Sequence, residues 1–153
     1  MDNEALKQLI EQWEPEAELI EEGSQFLNVI TTPSKLKELA RKLRFEDQTL
    51  FDYMFSLTCV DYPDHMMMVY HLRSTSHGHE MVLKAKIEDR ENAGVDTLCD
   101  IWRTAEWHER EVFDLFGVEF TNHPDLRRLL MSDDWEGYPL RKDYVDPTNM
   151  IGL

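Results

Sequence analysis

Apolar residues recur every three or four positions at the start of the chain, every second position in its centre, and every three or four again near its end. In the first segment Ala5, Leu6, Leu9, Ile10 and Trp13 fall on one face, which predicts an amphipathic helix capped by Asn3 and stopped by Pro15. Phe26 to Ile30 is a predicted strand. A second apolar stripe, Leu36, Leu39, Ala40 and Leu43, predicts a second helix with Thr32 or Ser34 as its cap. Phe51 to Val60 is then apolar, Tyr62 to Asp64 is turn-like, and His65 to Leu72 is rich in Met, Val and Tyr. Glu80 to Ile87 alternates, with Met81, Leu83, Ala85 and Ile87 on one side and Val82, Lys84 and Lys86 largely on the other. The polar run from Ser74 to His79 turns around Gly78, so the strands flanking it read as an antiparallel hairpin. Apolar strand faces need covering. The predicted fold is α+β, a two-layer domain of antiparallel or mixed sheet covered by helices.

Past Asp96 helical spacing returns through Ile101, Ala105, His108, Val112 and Leu115. Thr104 is the expected N-cap, Glu106 lies in the first turn, and Gly117 is the expected stop. Periodicity then fades. His123-Pro124 and Tyr138-Pro139 interrupt regular structure, a short helix is predicted from Pro124 to Leu130, and an extended C-terminal arm is predicted beyond Met131. The expected division is an α+β domain over 1–120 and a partner-clamping extension over 121–153.

The 153 residues carry a formal charge of −15, spread evenly along the chain rather than gathered in a tail. That charge argues against free nucleic acid and anionic membrane as partners. No apolar run approaches the roughly eighteen residues that a membrane span requires. Cys59 and Cys99 are forty positions apart, with no CxxC pair and no secretory leader, so they read as free cytosolic thiols.

The region after Trp107 holds the candidate chemistry. Glu106 and Arg110 form an i,i+4 pair in the favourable order, and Glu109, Glu111 and Asp114 surround the same arginine. Three readings stay open for this block: a solvated ion ladder, a network covered by a partner, and an acid/base centre using Glu109, Glu111 or Asp114. A zinc-protease pattern beginning at His108-Glu109 fails because Val112 stands where its second histidine belongs. His65, His71, His77 and His79 lie in or beside the hairpin without a third ligand in register, and Met66, Met67 and Met68 read as strand core or edge. There is no phosphate-cradling glycine loop and no cysteine quartet for an iron–sulfur cluster. In the tail, Arg127, Arg128, Arg141 and Lys142 alternate with acidic residues, and Trp135, Tyr138 and Tyr144 are threaded between them. Arg, Trp and Tyr are the residues that anchor interfaces.

These segments resemble a known family. Glu109-Arg110-Glu111 with Asp114, Phe116 and Gly117 begins its pattern. His123-Pro124 with Leu126, Arg128 and Leu129 continues it, and Gly137, Pro139, Leu140, Arg141, Lys142, Asp143 and Tyr144 complete it. Val69 to Ser74 and Asp100 to Trp107 match as well. The chain is similar over about residues 25 to 145 to the 30 kDa subunit of respiratory complex I, the stand-alone form of the C subunit of bacterial NADH-quinone oxidoreductase. Tyr138 departs from the pattern, standing where a histidine is common.

The resemblance implies a non-catalytic structural subunit of the hydrophilic arm. The whole assembly couples electron transfer from NADH to quinone to proton translocation. It implies no cofactor in this chain, with FMN and iron–sulfur clusters in other subunits. The expected partners are chiefly the 49 kDa (D) subunit, then the neighbouring B and I subunits, on the cytoplasmic side of a bacterial membrane. The expected interface comprises Trp107, Glu109, Arg110, Glu111, Phe113 and Asp114, then His123, Arg127, Arg128, Trp135, Tyr138, Arg141, Lys142, Asp143 and Tyr144. The nearest rival is an equivalent subunit of a ferredoxin-, F420H2- or hydrogenase-linked membrane complex. A stand-alone acidic hydrolase and a soluble scaffold domain are the others.

Overall fold

The two N-terminal helices form where the apolar stripes predict them. The computed structural model describes residues 2–145, with α1 at Asn3–Trp13, β1 at Glu18–Ile20, β2 at Leu27–Thr31, α2 at Pro33–Phe45, β3 at Tyr53–Asp61, β4 at Met66–Arg73 and β5 at Glu80–Ile87. β6 at Gly94–Asp96, α3 at Ala105–Phe116 and β7 at Glu119–Thr121 follow. Asp2, not Asn3, caps α1. Its Oδ1 accepts the Ala5 N–H at 2.9 Å, and Asn3 instead reaches Glu21. Thr32 occupies the N-cap position of α2 without bonding the first turn through its side chain. Pro33 starts this helix well because its fixed φ suits the first turn.

The main sheet has the order β1-β2-β5-β4-β3. β3, β4 and β5 run antiparallel, whereas β2 lies parallel to β5, so the sheet is mixed. The expected hairpin is β4–β5, and its register aligns Leu72 with Met81, Tyr70 with Leu83 and Met68 with Ala85. Those inward residues pack with Leu6 and Ile10 of α1 and Leu36, Leu39, Ala40 and Leu43 of α2 in one core. Full burial of a leucine or isoleucine contributes about 1.5–3 kcal/mol, so these two stripes hold the layers together. Both cysteines are free, and burial pushes the pKa of the Cys59 thiol up to about 12.

Several features depart from the sequence pattern. β1, β6 and β7 have three residues each, too few to show a period. Ile101 precedes α3 rather than starting its stripe, because it lies in a turn built on the Leu98 carbonyl. Thr104 stands at the N-cap with helical backbone angles, and its hydroxyl donates to the Met54 carbonyl of β3 instead of capping. The helix expected from Pro124 to Leu130 does not form. The C-terminal extension is present and runs back over α3 in turns. The expected boundary at 120/121 falls inside β7, and 146–153 lie outside the described residues.

Candidate partner interface

Helix α3 buries charge. Glu109 and Asp114 are 0% exposed and Arg110 is 4% exposed, while His108 and Leu115, expected in an apolar stripe, are only half-buried. Each buried charge meets a different segment. The Glu109 carboxylate accepts from the Thr97 hydroxyl and from the Leu98 N–H at 3.2 Å. Burial pushes this acid up to about 7, against the hydrogen bonds from Thr97 and Leu98 that favour its charged form. Arg110 makes no ion pair with Glu106 or Glu111. It donates to the carbonyls of Arg127 and Arg128, both at 3.2 Å, and lies over the Trp107 ring at 4.9 Å.

Asp114 binds the tail. Its Oδ2 accepts the backbone N–H groups of Leu129, Leu130 and Met131 at 3.2, 2.6 and 2.9 Å, and its Oδ1 accepts Arg128 at 3.0 Å. Burial alone raises its pKa. The N–H groups of Met131 and Leu130, then Arg128 and Leu129, outweigh that and leave it below the ordinary carboxylate value. The same three N–H groups explain the missing helix: drawn to one carboxylate, they are held in a turn around it.

Arg128 ties the rest of the strap together. Its guanidinium donates to the carbonyls of Asp114, Trp135 and Gly137 as well as to the Asp114 side chain. Tyr138 lies beside Phe113 and beneath both Arg128 and Arg141. Gly117 ends α3 at φ 77°, and a Cβ there would stand 2.6 Å from the Tyr138 ring, so only glycine fits. Arg141 donates to the Phe116 carbonyl, and the Lys142 N–H reaches Asp61 of β3 at 2.9 Å. Arg90 grips the same Asp61 with two nitrogens. His123 donates from Nε2 to the Glu106 carbonyl and accepts the Asp125 N–H at Nδ1, which fixes one neutral tautomer.

The residues singled out in the sequence therefore divide. Glu109, Arg110, Asp114, His123, Arg128 and Arg141 fasten the chain to itself. Phe113 of α3 and Trp135, Tyr138 and Tyr144 of the strap are half-buried. Trp107, Glu111, Arg127, Lys142 and Asp143 face outward. Sequence reading missed the exposure of Leu130 and Leu140, which are 64% and 53% exposed, comparable to Trp107 at 57%. Leucines in an aperiodic segment after Pro124 were the available signal for Leu130. Asp61 and Arg90 had none, because they meet Lys142 and Asp143 only in space.

The acid/base reading fails on this geometry. Glu109 is enclosed, Asp114 has its acceptor sites filled, and Glu111 is exposed to solvent away from Glu109. His77 and His79 stack at 5.5 Å, and the Nε2 of each meets a loop carbonyl, that of Asp47 and that of Thr49. No cluster of three or more His, Cys, Asp or Glu side chains suited to a metal occurs among the described residues.

Residues 29–149 match the family described as respiratory-chain NADH dehydrogenase, 30 Kd subunit. The chain belongs to this family. Within the 30 kDa family, the C subunit of the NADH-quinone oxidoreductase of Roseiflexus castenholzii is 42% identical over 120 residues, covering 76% of this chain and 68% of its own. The C/D subunit of the Phocaeicola vulgatus enzyme is also 42% identical over 120 residues, which are 78% of this chain but 23% of that longer protein. A chain in the structure of the membrane-bound sulfane sulfur reductase, an archaeal respiratory membrane complex, superposes with a TM-score of 0.78 at 29% identity, covering 93% of this chain and 85% of that one. The matched stretch of the 30 kDa family runs through α3 and the whole described strap.

Proposed function

We propose that the chain is a non-catalytic structural subunit of the hydrophilic arm of a membrane-bound NADH:quinone oxidoreductase, an assembly that passes electrons from NADH to quinone and moves protons. The observation that carries this reading is the family match across both the folded domain and the strap. The chain's contribution is a preformed surface. Buried charges fix the strap against α3, and Trp107 on the helix and Leu130 and Leu140 on the strap stay exposed for a neighbour. A pre-ordered surface loses little entropy on docking. The neighbour is chiefly the D subunit, with the B and I subunits nearby, on the cytoplasmic side of the membrane. FMN and iron–sulfur clusters belong to other subunits of the assembly. No described helix is long and apolar enough to cross a membrane, in keeping with peripheral attachment.

Mild solubilisation of host membranes, capture through a tag on this chain and identification of the co-purifying subunits tests the proposal. Recovery with D, B, I and a flavin-carrying NADH-binding subunit is the expected result. Recovery alone defeats it. The likeness to the sulfane sulfur reductase chain favours one second reading, the equivalent subunit of a related complex with another electron donor. In that case D-, B- and I-like subunits return without an NADH-binding one.

A further inference from the structure

All three helices pack into the core that holds the inward residues of the main sheet. The opposite sheet face has its own apolar cluster, Met67, Val69 and Val82, which the neighbouring side chains already bury, with half-buried Phe26 and Ile30 against it, and no helical residue belongs to it. The register lines up Thr58, Val69, Lys84 and Ile30 across four strands, with Val60, Met67 and Lys86 in the next row. At the edge of this face, Phe55 leans on His71 with ring centroids 5.6 Å apart and remains 38% exposed, and Val60 is 37% exposed.

We propose that this open sheet face is a second docking surface, occupied by a segment of a partner protein that presents apolar side chains flanked by carboxylates. The charge pattern selects that occupant. Lys84 rises from the middle of this face on a chain of charge −15, Lys86 stands at its end in a hollow that Glu14, Glu16 and Glu18 also line, and neither makes an ion pair among the described residues. A second copy fits poorly. A two-fold contact would set the lysines of one copy against those of the other, and both copies are strongly acidic. Area points the same way. Strands β2 to β5 hold thirty residues, which at about 3.3 Å each and about 4.8 Å between strands give a face of about 480 Å², against about 800 Å² per partner in a stable two-body interface. The face suits a contact within a larger assembly that grips the chain elsewhere. A phospholipid surface would meet the acidic chain unfavourably wherever its headgroups are anionic.

This docking surface rests on the proposed function and adds a neighbour on the side away from Trp107. The test uses the native complex captured through this chain, treated with a carbodiimide that joins amines to carboxylates in direct contact, and read by peptide mass spectrometry. A bond from Lys84 or Lys86 to an Asp or Glu of a different polypeptide is the expected result. Acetylation of both lysines in the complex is expected to be at least about tenfold slower than that of Lys42 on α2, because a packed contact excludes water and reagent. Bonds confined to this chain's own carboxylates overturn the inference. So do bonds between isotope-labelled and unlabelled copies, or labelling of Phe55 and Val60 by a photoactivatable phospholipid in nanodiscs. A chain recovered with its subunits whose Lys84 and Lys86 acetylate as fast as Lys42 defeats this inference alone. A chain recovered with no subunits defeats it together with the proposed function.

Discussion

Replacing Glu109 by glutamine isolates the cost of a buried, uncompensated acid. Its carboxylate has one hydroxyl and one N–H as donors and no cation in contact. Burial lifts its pKa from 4.5 to about 7. The folded protein therefore binds a proton that the unfolded chain releases between those values. The group's stabilising contribution is complete below about pH 4.5, falls as pH rises towards 7, and is lost above that. At about 1.4 kcal/mol per pH unit the swing reaches about 3 kcal/mol as an upper bound, and relaxation around the site reduces it to about 1–3 kcal/mol. In the variant an amide oxygen at the Oε2 position keeps both donors, but its NH₂ then faces only the Thr97 hydroxyl oxygen, at a cost of about 1–3 kcal/mol that does not depend on pH. Urea unfolding at pH 5, 6, 7 and 8 measures the difference, followed by the fluorescence of the buried Trp102 among the other tryptophans. The wild type should lose its advantage over Glu109→Gln from pH 5 to about pH 7 and level off by pH 8. Parallel stability curves for the two proteins would show that Glu109 is not titrating in this range, and the reasoning would fail.

Three other perturbations probe the strap and its outer surface. Arg128→Ala leaves Asp114 and the carbonyls of Trp135 and Gly137 without their shared donor, so stability should fall by about 2–4 kcal/mol and trypsin should cut faster at Arg141 and Lys142. An unchanged cleavage rate would contradict the strap. Gly117→Ala should cost at least about 2 kcal/mol more than Gly23→Ala in thermal unfolding, since both glycines have positive φ but only Gly117 has the Tyr138 ring in the way. Equal losses would mean that Tyr138 does not rest there. Trp107→Ala should change the stability of the chain by less than about 1 kcal/mol while lowering its recovery in the membrane complex, because most of that ring is exposed and its main internal contact is the Arg110 guanidinium. Normal recovery would remove Trp107 from the interface.

What was legible in the sequence was what neighbouring residues decide. The stripes of α1 and α2 and the alternation of β5 follow local periods, and the turn at Gly78 joins β4 to β5 as read. Helix α3 was legible as a helix but not in its buried face. Glu109, Arg110 and Asp114 turn inward because their partners come from residues 97–98 and 127–131, and no periodicity records such distant matches. The tail was rightly read as rich in anchoring residues. Its arginines were expected to reach outward. Arg128 and Arg141 instead spend their donors on the chain's own carbonyls, leaving the outward role to Trp107 and leucines.

The strap's two anchor points also impose a sequence of events during synthesis. Asp61 and Asp114 can receive the tail only when β3 and α3 already stand in place, and the segment they hold, from Leu129 to Lys142, leaves the ribosome after both. A nascent chain thus has no finished strap until its globular part has closed, so a half-made or misfolded copy lacks the surface proposed for docking.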